Sequence, residues 1–247
     1  MVRRPFVLVY GIVGYAAFGA TFAALIDFVS GTGYVRAIDA PPTAPFATAL
    51  AIDLALVVAF GVVHSALARP QVKAAVVGVV GEACERSTYV LVASAQLLLL
   101  AWQWRALPDP VWTLGTPLAR GAAWTLQGLG VAIAVYSTFL TDHFDLFGLR
   151  QTFLAAHDRP YTPVPFVERS LYRYVRHPMM VGIVLWFWAT PTMSVGHLVL
   201  AASMTVYVVV GVALEERGLS RALGGPYADY RRRVRAYVPL PTSSRRQ

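Results

Sequence analysis

The chain has 247 residues, 57% of them hydrophobic and only 14% charged, with a formal net charge of +8. A soluble domain carries about 25% charged residues, so the composition excludes an ordinary soluble fold, and a basic, apolar chain fits a membrane surface better than nucleic acid. Cys84 is the single cysteine, which leaves no partner for an internal disulfide and no basis for a cysteine metal cluster.

The opening Met-Val-Arg-Arg has the charge of a signal peptide. The apolar run after it is too long for the hydrophobic region of one, and no small-x-small cleavage site follows, so it reads as a retained helix. A spanning helix takes about 20 mostly apolar residues. Four segments qualify, at about 6–29, 46–68, 87–104 and 121–141, and two more follow a long polar stretch, at about 178–195 and 197–214. The fifth is short and contains Pro191. Its tight connection to the sixth, Pro191–Gly196, predicts two antiparallel neighbours. Trp102, Trp104 and Trp112 gather near the outer end of the third helix and read as an interfacial aromatic belt. Asp27 and Asp53 fall in the outer half, where charge is costly unless paired or wet.

The expected fold is all-α: a polytopic transmembrane bundle of about six helices, one domain over 1–247. A four-helix half covers 1–141 and a second half covers 142–247. With a cytoplasmic N-terminus, 18 of the 21 Lys and Arg residues fall on inside segments and three, Arg36, Arg105 and Arg120, fall outside. That asymmetry places both termini in the cytoplasm. After Gly224-Gly225-Pro226, the residues Tyr227, Tyr230 and Val234 recur at i, i+3 and i+7 among arginines. This predicts a short C-terminal amphipathic helix lying on the inner leaflet.

Chemistry concentrates in Tyr172-Arg-Tyr-Val-Arg-His-Pro-Met-Met-Val-Gly182. A residue before proline is pushed towards extended backbone, so His177 stands outside a helix that begins at Pro178. The free N–H groups and positive end of that helix, next to Arg176, make a seat for a carboxylate or phosphate; lipid phosphates are the other candidate occupant. Gly182 leaves room for a ligand or a close helix. Glu215 and Glu216 lie at the inner end of the sixth helix, either bridging Arg217 or Arg221 or accepting hydrogen bonds from a cationic or hydroxylated ligand. The hairpin brings Pro178 and Glu216 to one level, a pairing suited to a zwitterionic ligand with a ribose.

The run Arg176-His177-Pro178-Met-Met-Val-Gly182, then Glu215-Glu216-x-x-Leu219, Gly225-Pro-Tyr227-x-x-Tyr230-x-x-x-Val234 and Pro239, resembles the isoprenylcysteine carboxyl methyltransferase-like membrane enzymes over about 160–241. The family's usual tyrosine two residues after this proline is Met180 here. Further motifs look like those of the bacterial methanethiol S-methyltransferases: His64-Ser-Ala-Leu-Ala-Arg69-Pro, Glu85-Arg-Ser-Thr-Tyr89, Trp102-Gln-Trp104-Arg and Thr141-Asp-His-Phe-Asp-Leu-Phe-Gly-Leu-Arg-Gln151. A related group associated with denitrification shares the first of these. The resemblance implies S-adenosylmethionine as methyl donor and S-adenosylhomocysteine as product. The implied cofactor residues are Tyr172, Arg176, His177, Pro178, Met180, Gly182 and Glu216, with Val164, Phe166 and Val167 along the adenosine. It also implies a small thiol as acceptor and a bacterial inner membrane as location. No nucleic acid, metal or obligate protein partner is inferred.

A thiol reacts as its thiolate, so the expected site assists deprotonation. His143 is the first candidate base, since imidazole titrates near neutral pH, and Asp145 is placed to orient it. His64, at the inner end of the second helix, is the second candidate. Arg86 is positioned either to stabilise a thiolate or to pair with Glu85. Two alternatives stay open. A prenylcysteine or phospholipid amine as acceptor keeps the cofactor and requires a lateral opening to lipid. A transporter using Asp27, Asp53 and His64 as a polar path predicts two pseudo-repeated halves, and the sequence contains no internal repeat.

Overall fold

The computed structural model of the protein describes residues 3–166 and 168–239. Its helices, in chain order, are α1 (Arg3–Ser30), α2 (Phe46–Leu67), α3 (Pro70–Val80), α4 (Glu82–Gln103), α5 (Pro117–Leu140), α6 (His143–Leu146), α7 (Leu149–Ala156), α8 (Pro178–Trp188), α9 (Val195–Leu223) and α10 (Gly225–Arg233). A 3-10 turn covers Ser170–Arg173, and β1 (Pro110–Thr113) and β2 (Thr192–Ser194) form a two-stranded ribbon that the helical pattern gave no reason to expect. Prolines stand in the first two positions of α3, α5, α8 and α10, where the missing N–H costs nothing and the fixed φ favours helix.

The chain is a multi-pass membrane protein. Among the described residues four helices, α1, α2, α5 and α9, are long and apolar enough to cross a bilayer. The other two expected spans depart from that standard for different reasons. The third, α4, has 22 residues, but Glu82, Glu85, Arg86, Ser87 and Thr88 occupy its first turns. It packs against α1, α2, α3 and α7, so its buried face meets protein and tolerates Glu85, Ser87 and Ser94. The fifth, α8, is apolar but has only 11 residues, about 16 Å of helix against a hydrocarbon core of about 30 Å.

Two compact units interleave along the chain. The first holds residues 1–112, 142–164 and 192–200. Here α1 lies against α4 and α7, and α2 and α3 lie against α4. Arg4 pairs with Asp158 at 2.5 Å, which brings the start of α1 and the end of α7 together. At another point Ser194 Oγ donates to Asp39, and Val195 N and Gly196 N donate to the carbonyls of Asp109 and Leu107 at 2.9 Å. Asp27 accepts from Tyr34 N at 3.2 Å and also from Val35 N and Thr32 Oγ1, so it shapes the loop after α1. Asp53 is fully buried and accepts from Arg105 N at 2.8 Å. Trp104 is 1% exposed and packs edge-on to Phe28 at 6.0 Å, whereas Trp102 is 71% exposed. Trp112 is exposed as well, so the expected tryptophan belt splits into one core residue and two surface ones.

The second unit holds residues 113–141, 165–191 and 201–247, and α5 against α8 is its main packing. The two helices cross at glycine. A Cβ on Gly182 would lie 2.6 Å from Ala134 N and from Gly130 O, and one on Gly130 would lie 2.5 Å from Trp186 N. Gly182 thus serves a close helix. The predicted antiparallel relation of α8 and α9 is seen in two bonds: His177 Nε2 to Glu216 Oε1 at 3.1 Å and Trp188 Nε1 to Thr205 Oγ1 at 2.9 Å. Moving eleven residues up one helix matches eleven residues down the other. The amphipathic tail helix is present as α10, but its apolar face is not a lipid anchor. Tyr227, Tyr230 and Val234 are 1%, 2% and 5% exposed and pack with Leu219 and Leu223 of α9.

Candidate functional site

The second unit gathers most of the residues singled out for a cofactor. His177 has φ −126° and ψ 62°, outside the helix that Pro178 begins, as proline requires of its predecessor. A parallel bridge joins Val175 to Arg235, and the N–H groups of Arg176 and His177 donate to the carbonyls of Arg235 and Ala236 at 2.9 and 3.1 Å. Tyr230 Oη donates to the Tyr172 carbonyl at 2.7 Å, and Arg233 reaches both oxygens of Glu168 at 3.0 and 2.9 Å. The tail is therefore stitched along the segment that leads into α8.

At the centre of this stitching lies Glu216. Its Oε1 accepts from Arg176 Nε at 2.7 Å, from Arg176 Nη2 at 2.5 Å and from His177 Nε2 at 3.1 Å. A carboxylate only accepts, so His177 Nε2 carries a proton. Arg231 Nε faces Glu216 Oε2 at 3.4 Å, and Glu215 lies 3.7 Å from His177 Nδ1. Arg176 also donates through Nη1 to the Val234 carbonyl. The expected acidic and cationic sites are thus bonded to each other as well as side by side. The Arg176 and Glu216 side chains are 10% and 11% exposed, a setting in which ion pairing is far stronger than at an open surface. Outward from them opens a cleft of about 380 Å³ lined by Arg176, Ala228, Arg231 and Arg232.

The remaining cofactor candidates are placed as follows. Phe166 stands edge-on to Tyr230 at 5.3 Å and to Tyr227 at 6.0 Å. Tyr172 has its hydroxyl pushed up in pKa by burial, against the opposing effect of its hydrogen bond with Thr141. Pro178 is buried, and Met180 is half-buried in the first turn of α8. Val164 is half-buried and belongs to the first unit, whereas Val167 lies outside the described residues.

The catalytic candidates all lie in the first unit. His143 opens α6 and is 7% exposed. Burial lowers its pKa below the ordinary imidazole value, outweighing the opposite pull of Asp142. Its Nε2 is 2.8 Å from Tyr15 Oη, a partner that the sequence reading missed because the two are 128 residues apart. Asp145, expected to orient this ring, is taken up elsewhere. Its Oδ1 accepts from Arg150 Nη1 at 2.8 Å and its Oδ2 from Tyr161 Oη at 3.4 Å. Arg86 is engaged elsewhere than at Glu85. Its Nε donates to the Leu146 carbonyl at 2.7 Å and its guanidinium stacks over Tyr89 at 4.8 Å, while Glu85 meets Lys73 at 3.4 Å. His64 packs between Phe60 at 5.1 Å and Tyr89 at 4.7 Å. Arg86 therefore links the end of α2, through Tyr89, to α6.

The family model described as NnrU protein matches residues 53–239. Methanethiol S-methyltransferase of Mycobacterium tuberculosis is 44% identical over 97% of this chain and 98% of its own length. Methanethiol S-methyltransferase 2 of Bradyrhizobium diazoefficiens is 44% identical over 100% of this chain and 95% of its own. Nurim of Xenopus laevis is 30% identical over 79% of this chain and 71% of its own. No solved structure matches the chain.

Proposed function

The chain belongs to the NnrU protein family, and on that premise we propose that it is a membrane methyltransferase that converts methanethiol to dimethyl sulfide, with S-adenosylmethionine as methyl donor. The observation that carries this reading is the cluster of Arg176, His177 and Glu216 at the start of α8, opening onto an arginine-lined cleft of about 380 Å³. The donor set fits the cofactor's chemistry. Guanidinium groups of Arg231 and Arg232, with Arg176 behind them, suit the methionine carboxylate. Glu215, half exposed at 52%, suits the amino group, and Glu216 the ribose hydroxyls. The Phe166 ring offers an apolar wall for the adenine. When bound, S-adenosylmethionine supplies an activated methyl group whose transfer releases a neutral thioether.

The chain's own tasks are alignment, exclusion of water and removal of the thiol proton. We assign the last to His143. A histidine with its pKa lowered by burial is neutral at pH 7 and therefore able to accept a proton. The positive-inside charge pattern supports an inner-membrane location with both termini, and hence α10, on the cytoplasmic side.

The test is methyl transfer by the detergent-purified full chain over a panel of thiols and lipid acceptors, with cofactor binding measured in parallel. Methanethiol should be turned over, and prenylcysteine and phospholipid amines should not. Arg176→Ala and Glu216→Ala should each weaken S-adenosylhomocysteine binding by at least about tenfold, the scale of a lost charge-assisted hydrogen bond. Undiminished binding in both variants would remove this site.

A further inference from the structure

His143 is held in a ring-walled setting shared between α1 and its own short helix. Tyr15, Phe144 and Phe147 stand edge-on to its imidazole at 5.6, 5.4 and 5.0 Å, and Phe18 at 6.3 Å. Phe18 in turn stacks on Phe147 at 3.7 Å. Two glycines let α1 come close enough to deliver Tyr15 and Phe18. A Cβ on Gly11 would lie 1.9 Å from Thr152 Oγ1 of α7, and one on Gly14 would lie 3.2 Å from Ser87 Cβ of α4. The short helix that carries His143 is pinned independently. Asp142, at φ 82°, caps it by accepting from Asp145 N at 3.1 Å, and Arg86 ties its last carbonyl to α4 at 2.7 Å. Into this apolar surround Tyr15 brings one hydroxyl, 2.8 Å from His143 Nε2.

We propose that Tyr15 is the positioning residue for His143 in proton removal: its hydroxyl fixes the ring's orientation and accepts the Nε2–H bond of the imidazolium once the thiol proton has been taken up. The inference rests on the reading of His143 as the base. In the step, the thiol S–H bond breaks, the electron pair stays on sulfur, and the proton goes to an imidazole nitrogen. Tyr15 keeps its own proton throughout. An imidazolium has N–H at both nitrogens, so whichever takes the proton, Nε2–H faces the Tyr15 oxygen. A hydrogen bond donated by the cation is stronger than one received by the neutral ring, so the hydroxyl favours the protonated form. Other charged groups around α6 are partly committed elsewhere. Asp142 in the preceding turn lies 3.7 Å from Arg150 of α7, Asp145 is bonded to the same arginine, and Arg86 of α4 is on the Leu146 carbonyl.

Tyr15→Phe keeps the ring packing and removes only the hydroxyl. In the full chain we expect the acid limb of the kcat/KM profile for methanethiol to move down by roughly one pH unit, and kcat on the plateau to fall about tenfold. S-adenosylhomocysteine binding and melting temperature should stay as in the parent. The same substitution in a His143→Ala background should change turnover little. A titration of ring-labelled histidine by NMR should show the His143 midpoint lowered by the same roughly one unit, whether or not methanethiol is the acceptor. An unmoved His143 midpoint overturns the role of Tyr15. A moved midpoint together with no methylation of any thiol supports the Tyr15 contact and sinks the thiol reading instead.

Discussion

The charged residues of greatest consequence here are buried, and burial decides how each behaves. Arg176 and Glu216 neutralise one another, with His177 and Arg231 as further partners of Glu216, so removing Glu216 leaves the larger imbalance, on the scale of about 3–5 kcal/mol for a broken buried pair. His143 lies in a ring-walled setting, and burial there disfavours its charged form. Its folded pKa therefore sits below the unfolded value of about 6.5. The neutral form's contribution to stability is present above about pH 6.5 and is lost as pH falls towards the folded value. Melting temperatures of the wild type should drop between pH 7 and pH 5 more steeply than those of His143→Asn. Parallel curves would show that folding leaves the pKa of His143 unchanged. In turnover, His143→Ala should lose roughly 10²–10⁴-fold at pH 7, the usual range for a missing general base. The loss should shrink as pH rises and solvent supplies thiolate. A larger defect in His64→Ala would move the role to α2.

At the scale of elements, close approach does the work that an apolar face does in soluble helices. Within a membrane, helices associate through small residues that admit backbone contact. The crossing of α5 and α8 shows this at Gly130, Ala134 and Gly182, where a Cβ on either glycine would strike backbone atoms at 2.5–2.7 Å. Since α8 is too short to span alone, this crossing holds the start of α8, and with it Arg176 and His177. Gly182→Val should cost about 1–3 kcal/mol or more by overpacking and weaken cofactor binding without touching any charged group. Unchanged binding and an unchanged melting temperature would mean that the crossing does not position the cluster. The tail helix follows a related logic. Its Tyr227 and Tyr230 side chains are consumed by packing within its own unit, so α10 turns arginine outward.

For the molecule as a whole, the distribution of charge along the chain makes the sharpest claim. Cysteine labels at Arg159 and Asp109, both exposed, should react from opposite sides of the membrane, the first from the cytoplasm and the second from outside. The same charge pattern places Arg4 and Asp158 on one side, and their ion pair agrees with this. Labelling of Arg159 from outside would invert the topology and with it the cytoplasmic location proposed for the Arg176–Glu216 cluster.

Hydropathy and charge asymmetry were enough to read a helical membrane chain, the places of its long spans and the start of α8 at Pro178, because these follow from local transfer energies and backbone sterics. The pairing of residues 177 and 216 was legible for the same reason: a tight turn between two helices sets their register. What only the tertiary structure decided depends on contacts between distant segments. The arrival of Tyr15 at His143, 128 residues away, has no local signature. It is set by how closely α1 can approach α4 and α7. The face of α10 is the same case. Periodicity reports that an apolar stripe must be covered, and lipid and protein satisfy it equally at the level of sequence. The packing of Leu219 and Leu223 against Tyr227 and Tyr230 is what assigns that stripe to protein.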